Sequence, residues 1–497
     1  MVLHAFDLTV LALYLAGVVG VGWHLGRQTR DLRDYFLSGR RTPGWAILAS
    51  IVATETSTVT FLSVPAFAFA ANARGEGGNW TFLSLALGSV CGRVCVAWLL
   101  LPRYFRGELF TVYQALQQRF DVRVQRAASA LFLATRCLAD GIRLMATALI
   151  LTALTRWSDP VAILILAGAT ILYTWLGGMK AVIWTDVLQA CVYLAGAGAA
   201  AWVLLERIPG GWETALEVAR SHDKLRVFDF GWDVSRSYTF WAGLVGGAFL
   251  TTATHGTDQL MVQRYLSARN RREAAAALLG SGLAILMQFA LFLGLGTLLF
   301  VYYREAGVAL PESVAARPDR VFPHFVVTEL PAGVRGLVIA AVFAAAMSTL
   351  SSSLNSLATA ALTDFCHSPA SGRAGSGPAV SAARRWTLGW GLVQAGVALA
   401  TARMETRIVD MALALASFTS GPVLGLFFLA LGPRRVDSTS ALIGLVVGMA
   451  VMVLVGTGGG VSWQWYTLTG SVVTWLAGCG VALWRGGAGR AGSGCSE

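Results

Sequence analysis

Residues Phe343 to Leu362 read FAAAMSTLSSSLNSLATAAL, an apolar run that carries seven hydroxyl side chains and an asparagine. At about 100° per helical residue, Ala345, Ser348, Thr349 and Ser352 fall on one narrow stripe, because they are spaced i, i+3, i+4, i+7. Asn355, Ser356 and Thr359 extend the stripe, and Ser351 lies at its edge. Hydroxyl and carbonyl oxygens are hard, uncharged donors that suit a small alkali cation losing part of its water shell. The spacing equally fits helix packing through small residues, with each hydroxyl bonded back to the preceding turn. This segment alone leaves both readings open.

A second run, SIVATETSTVTFLSVPAFAFA from Ser50 to Ala70, places Thr54, Glu55, Thr56, Ser57, Thr58, Val59 and Thr60 within otherwise apolar sequence, with Pro65 beyond. Polar and β-branched residues there favour a break in the helix, and a break at membrane depth is tolerated only where it lines a cavity or site. Carbonyls freed by the break would complete a cation shell. Glu55 costs several kcal/mol inside a bilayer unless partnered, so it is either functional or half of a structural ion pair. In a third run, LFLATRCLADGIRLMATALILTAL, Asp140 is i+4 from Arg136 and i+3 from Arg143, so one carboxylate reaches either guanidinium. One positive charge is left over. Arg143 is then available to grip a solute carboxylate bidentately, to pair with Glu55, or to stay in a local triad with snorkelling side chains. Asp186 and Gln189 follow the Gly-Gly turn of WLGGMKAVIWTDVLQACVY by about two turns. In THGTDQLMVQRYLSARNRREA, the residues Asp258, Gln259, Gln263 and Arg264 read as ties across the cytoplasmic face.

These residues sit in a chain of 497 residues that is 56% hydrophobic and 13% charged, with a mean hydropathy of +0.62. Such a composition marks an integral membrane protein. Runs of the roughly 20 apolar residues that a bilayer requires occur about thirteen times. They lie near 5–25, 44–71, 79–102, 127–155, 160–177, 181–206, 239–257, 274–303, 323–364, 386–402, 408–432, 440–457 and 465–484. The alternation of a membrane barrel is absent, so the expected fold is all-α. Arginines concentrate in alternate loops, such as Arg40 with Arg41, Arg103 with Arg106, and Arg269 with Arg271, which places the N-terminus outside and the C-terminus in the cytoplasm. The net charge of +11 belongs to these loops and to no basic domain, which argues against nucleic acid as a partner. MVLHAFDLT has no basic n-region, so the first run is expected to stay as a helix. The seven cysteines form neither a disulfide framework nor a zinc spacing. A flexible link at 368–383 and a disordered tail at 485–497 are expected. No Walker lysine motif is present, so uphill transport must draw on an ion gradient.

Four motifs, FLSGRRTPGWAILASIVATETS, GGMKAVIWTDVLQ, TDQLMVQRYLSA, and AAAMSTLSSSLNS with the following TDF, occur in this order. With them the sequence resembles the sodium/solute symporter family, relatives of the sodium-coupled glucose, iodide, proline and sialic acid transporters, over essentially the whole chain. The resemblance implies a LeuT-like core of two inverted five-helix repeats in a single membrane domain. It implies a leading helix at 5–25, a first repeat at 44–206, a second at 239–432 and trailing helices at 440–484. It further implies sodium held by the carbonyls of Ala53, Thr56 and Ala345 and the hydroxyls of Ser348 and Thr349, positions that coincide with the stripe. By similarity to the sialic acid branch, Asp186 with Ser348, Ser351 and Ser352 would hold a second sodium; otherwise Asp186 lines the inner exit of the first. The solute would lie beside the break, against Glu55, Ser57, Thr60, Asn79 and Arg143, the last resembling an arginine that grips carboxylate in that branch. Glu55 departs from the small or neutral residues usual at its place, which fits an amino or polyhydroxyl group near the solute carboxylate, or a proton-titratable site.

The function so implied is a sodium-coupled symporter of the cell membrane that imports a small polar organic solute by alternating access. The solute would be carboxylated, such as sialic acid or a monocarboxylate, or a sugar. Na+ is the implied coupling ion, with no organic cofactor, no other metal and no covalent chemistry; solute, sodium ions and the lipid bilayer are the partners. A proton-coupled or sodium-independent transporter is the nearest alternative, motivated by Glu55 and Asp186. A channel is disfavoured because the polar groups cluster near one depth. An enzyme is disfavoured because the six histidines are scattered, and a membrane solute sensor because no output domain is recognisable.

Overall fold

The computed structural model describes residues 3–72, 75–366, 377–402, 418–432 and 436–492. Within them every regular element is a helix, and β pairing is confined to the isolated bridges Thr42 with Ala268 and Ala71 with Gly77. Eight of the described helices are long and apolar enough to cross a bilayer, nine when the bent pair Gly44–Glu55 and Thr58–Phe69 counts as one span. The elements used below are α1 (Ala5–Gly26), α2 (Gly44–Glu55), α3 (Thr58–Phe69), α4 (Leu83–Cys95, continued by a π turn towards Tyr104), α5 (Val122–Thr155), α6 (Asp159–Arg207), α7 (Gly247–Gly256) and α8 (Gln259–Leu266). They continue with α9 (Arg271–Glu305), α10 (Val321–Thr328), α11 (Val334–Ala360), α12 (Gly377–Thr401), α13 (Ser420–Leu431), α14 (Ser438–Gly458) and α15 (Tyr466–Gly492).

One expected break and one difference from the sequence reading have local causes. Within Asp159–Arg207, α6, the runs at 160–177 and 181–206 are two helical segments that meet at Gly178, whose backbone (φ 56°, ψ −149°) is not helical. Only glycine adopts that conformation readily, and a Cβ at Gly178 would lie 2.4 Å from the Tyr35 carbonyl oxygen. The single run at 323–364 is instead two helices, α10 and α11, separated around Pro331 and Gly333 (φ 90°). The N-terminus of α11 is then capped from α1. Asp7 Oδ1 accepts from Gly333 N at 2.8 Å and Gly336 N at 2.9 Å, while Oδ2 accepts from Arg335 Nε at 2.8 Å. A carboxylate there satisfies orphan amides and complements the helix dipole.

Helix α11 lies at the centre, packed against α6, α5, α1 and α12 and buried along almost its whole length. A helix enclosed on all sides is not constrained to one apolar face, which leaves room for its hydroxyl stripe. The expectation at 408–432 falls partly on residues 403–417, and the link at 368–383 partly on 367–376, both outside the described residues. Helix α12 starts at Gly377, ahead of the expected 386. Helix α15 continues to Gly492, through part of the segment expected to be disordered, and 493–497 lie outside the described residues. Replacing Gly178 by Ala should cost about 1–3 kcal/mol of stability, read as a fall in the thermal unfolding midpoint of the detergent-solubilised protein. Gly198→Ala, where an added Cβ meets nothing within 4 Å, should leave the midpoint in place.

Candidate functional site

Helices α2 and α3 diverge by 67°, and the two residues between them, Thr56 and Ser57, are extended. A helix ends with its last four carbonyls unpaired, and inside a membrane each must find a donor. Val52 O accepts from Thr56 N at 3.2 Å and Thr56 Oγ1 at 2.8 Å. Ala53 O accepts from Ser348 Oγ at 2.9 Å, and Thr54 O from Thr349 Oγ1 at 3.2 Å. The same hydroxyls bond back to Ala345 O at 3.1 and 3.4 Å. The freed end of α2 and the stripe of α11 thus share one cluster of hard oxygens. Thr54 belongs to it, although the sequence reading named it only as part of the polar segment and not as a ligand. Thr56 turns its side chain elsewhere, accepting from Gln288 Nε2 at 2.6 Å beside Tyr193. On the far side of the break Ser57 caps α3 through Thr60 N at 3.2 Å and meets the Thr60 hydroxyl at 3.1 Å.

The rest of the stripe divides its work. Ser351 and Ser356 bond back to Ser348 O and Ser353 O, as packing hydroxyls do. Asn355 and Thr359 accept from Gln263 Nε2 at 2.7 and 2.9 Å. Ser352 meets a different partner. Arg264 on α8, expected as a tie across the cytoplasmic face, is instead buried in the core, where Nη2 donates to Asp186 Oδ2 at 3.0 Å and to the hydroxyls of Thr54 and Ser352. Its reach comes from a long side chain on a short helix folded against α2 and α11. Gln259 does act as a tie, donating to Phe110 O at 2.9 Å and accepting from Val112 N at 2.8 Å.

On α5 the spacing holds as charge pairs: Arg136 Nε to Asp140 Oδ2 at 2.6 Å and Arg143 Nη1 to Asp140 Oδ1 at 3.0 Å. Asp258 adds a second carboxylate, 3.3 Å from Arg136 Nη1, so two guanidinium groups face two carboxylates and no positive charge is left over. Arg143 nevertheless keeps 43% of its side chain exposed. Among the described residues it lines a cavity of about 690 Å³ with Ser57, Val59, Ala139, Thr254 and Asp258. A separate pocket of about 20 Å³, bordered by Ser57, Asp140, Arg143, Ala345 and Thr349, shares Ser57, Val59 and Arg143 with this cavity and Ala345 and Thr349 with the oxygen cluster. Glu55, Thr60 and Asn79 border neither space. Asn79 is buried and accepts from Thr81 N at 3.0 Å. Glu55 pairs with Arg93 and with His255 Nε2 at 2.7 Å, not with Arg143. His255 Nδ1 in turn meets Tyr265 OH at 2.6 Å, and Arg93 Nε donates to Ser281 at 3.0 Å.

A broken helix, an uncharged oxygen cluster and a cavity with shared lining are features that an ion-coupled transporter needs, and the profile of the sodium:solute symporter family matches residues 35–448. The chain belongs to this family. It is similar to the sodium/sialic acid symporter NanT of Aliivibrio fischeri, 31% identical with 94% of this chain and 91% of that protein covered. The human sodium/iodide cotransporter is 30% identical, with 91% and 70% covered. Among solved structures, a substrate-bound, outward-open Na+-coupled sialic acid symporter superimposes with a TM-score of 0.87 at 28% identity, covering 97% of this chain and 98% of that one. The nucleobase-cation symporter Mhp1 in a closed form, at TM-score 0.59 and 14% identity over 92% and 94% of the two chains, shares the fold.

The symporter is therefore a multi-pass membrane transporter that uses Na+ as coupling ion, and not an enzyme. Sequence reasoning missed the partners of Glu55, although an arginine inside the apolar run GSVCGRVCVAWLL was a visible signal. Removing one partner of a buried ion pair costs about 3–5 kcal/mol. Glu55→Gln, which strands the buried Arg93, should lower the unfolding midpoint accordingly. The double substitution Glu55→Met with Arg93→Met should recover most of that loss in the same thermal melt.

Proposed function

We propose that this symporter imports a small, carboxylated polar solute of the sialic acid class together with sodium across the cell membrane. The observation that carries the reading is Arg143, a guanidinium partly exposed to a cavity of about 690 Å³ and one small pocket away from Ala345 and Thr349. Planar guanidinium groups recognise carboxylates bidentately. Similarity to sialic acid symporters from Aliivibrio fischeri and Proteus mirabilis supports the same class. In this reading Ser57 and Arg143 touch the solute, while Glu55, Thr60 and Asn79 hold the walls around it. Sodium rests on Ala53, Thr56, Ala345, Ser348 and Thr349. Asp186, Ser351 and Ser352 form a second sodium seat or the exit path.

The architecture in this proposal has thirteen spans, obtained by taking α6 as two and adding α7, α12 and α13 to the nine long ones. Helices α2 to α6 form one five-span repeat and α7 to α13 its inverted counterpart, with α1 leading and α14 and α15 trailing. The arginine-rich loops place the N-terminus outside and the C-terminus in the cytoplasm.

Uptake of labelled sialic acid, monocarboxylates, hexoses and iodide into proteoliposomes, with and without an inward sodium gradient, tests the reading. Gradient-dependent accumulation of a carboxylated solute is expected. Uptake indifferent to sodium but abolished by a protonophore would replace it with a proton-coupled mechanism. Ser348→Ala with Thr349→Ala should weaken apparent sodium affinity on the order of tenfold, the equivalent of about 1.4 kcal/mol. Arg143→Gln removes a charge-assisted hydrogen bond worth about 1.5–3 kcal/mol and should raise KM for the carboxylated solute while sodium affinity stays as it was.

A further inference from the structure

We infer that Arg264 is a coupling residue, a tethered cation that keeps sodium from leaving its site along Asp186. The inference rests on the reading of the Ala53, Ala345, Ser348 and Thr349 cluster as the sodium site. Three observations support it. Arg264 is buried between four elements: Nε donates to Ser50 on α2 at 2.8 Å, Nη1 to Leu260 O on its own helix at 2.5 Å, and Nη2 to Asp186 on α6 at 3.0 Å and to Ser352 on α11. Thr54 joins this group to the sodium cluster, because its hydroxyl meets Arg264 while its carbonyl accepts from Thr349 at 3.2 Å. Ser352 sits one turn along α11 from Ser348 and donates to Ser348 O at 2.6 Å. The guanidinium therefore lies directly beside the sodium oxygens, on the side towards the C-terminal half of α11.

The third observation concerns Asp186 itself. Its Oδ2 is engaged by Arg264 and by Ser50 Oγ at 2.5 Å, yet the buried Oδ1 has no hydrogen-bond partner. The carboxylate thus retains acceptor capacity one step from a cation held by neutral oxygens. A bare carboxylate in that position would attract the ion strongly, since charges separated by a few ångströms in protein interact far more than in water. Arg264 makes the pair neutral and removes the attraction. Sodium then gains access to Asp186 only when α8 shifts, and α8 is packed against α2 and α11. Exit of the ion is in this way linked to the conformational change that releases solute.

The test is entry of labelled sodium into proteoliposomes in the absence of any solute. Wild type should be tight, whereas Arg264→Gln should leak on the order of tenfold faster, within the roughly 5–150-fold span of ordinary coupling free energies. Arg264→Lys, which keeps the charge, should restore most of the tightness. Sodium binding followed by intrinsic tryptophan fluorescence checks that each variant is folded and holds the ion. An Arg264→Gln protein that binds sodium and stays as tight as wild type overturns the inference. Should that variant not fold, Asp186→Asn decides: removing the carboxylate removes the way station, so a tight protein is expected, and a leak as large as expected for Arg264→Gln overturns the inference. Failure of the functional reading would look different, with wild type showing no sodium-dependent solute uptake and no sodium-induced fluorescence change.

Discussion

A helix that ends inside a membrane leaves carbonyl groups with no water to turn to, and the arrangement around the break of α2 follows from that constraint. The donors that satisfy Ala53 O and Thr54 O are hydroxyls of α11, 295 residues away in each case. A hydroxyl both donates and accepts, so the groups that close the helix end can also turn lone pairs towards a cation. On the proposed reading, the same contacts that make the break tolerable make it an ion site. Helix α11 must then be buried on all sides and held in register, which the Asp7 cap at its N-terminus and its packing against α6 provide.

Burial of charge imposes the second constraint. Inside the bundle an uncompensated ion is far more costly than a paired one, and the charges around the candidate site and at the start of α11 occur in balanced groups, whereas Asp364, away from it, accepts from the neutral Thr111, Gln125 and Ser129. Asp7 faces Arg335, Asp186 faces Arg264, and Arg136 with Arg143 faces Asp140 with Asp258. Glu55 faces Arg93, with His255 as an additional hydrogen-bond partner. Balance alters the reading of Arg143. It is not a surplus charge awaiting a counter-ion; a solute carboxylate reaching it competes with Asp140 for its hydrogen bonds. Affinity for such a solute must then come from the rest of the cavity as well, and an amino or hydroxyl group that compensates Asp140 or Asp258 would add to it.

Local spacing carried the sequence reading as far as local spacing extends. The i, i+3, i+4 relations of Ser348, Thr349 and Ser352, and of Arg136, Asp140 and Arg143, survive in three dimensions because both belong to unbroken helices. The break after Glu55 was legible from a polar, β-branched segment where an apolar one was due. The partners of Glu55 were not, because Arg93 and His255 stand 38 and 200 residues from it and no periodicity links them. Arg264 was misplaced for a related reason: its position in a basic, polar segment signals the cytoplasmic surface, whereas the side chain turns inward to Asp186, 78 residues away. The division of α6 at Gly178 was legible because the Gly-Gly pair carries a turn signal within the apolar sequence.

Helix α8 connects these elements mechanically. Asp258 caps its N-terminus: its carboxylate accepts from Leu260 N at 2.9 Å and from Arg136 Nη1 at 3.3 Å beside the cavity. Six residues on, Arg264 engages Asp186, Thr54 and Ser352 beside the sodium cluster, and Tyr265 bonds the imidazole of His255 next to Glu55. A helix of eight residues is stiff on this scale, so a displacement that lengthens the contact at one end acts on the contact at the other. In the proposed mechanism, solute that reorganises the Arg136, Asp140 and Asp258 group would change the force on Arg264, and sodium that repositions Thr54 would change the force on Asp258. With solute and sodium at the sites proposed above, that would be a reciprocal coupling free energy between two ligands, carried by a named element with a charge pair at each end.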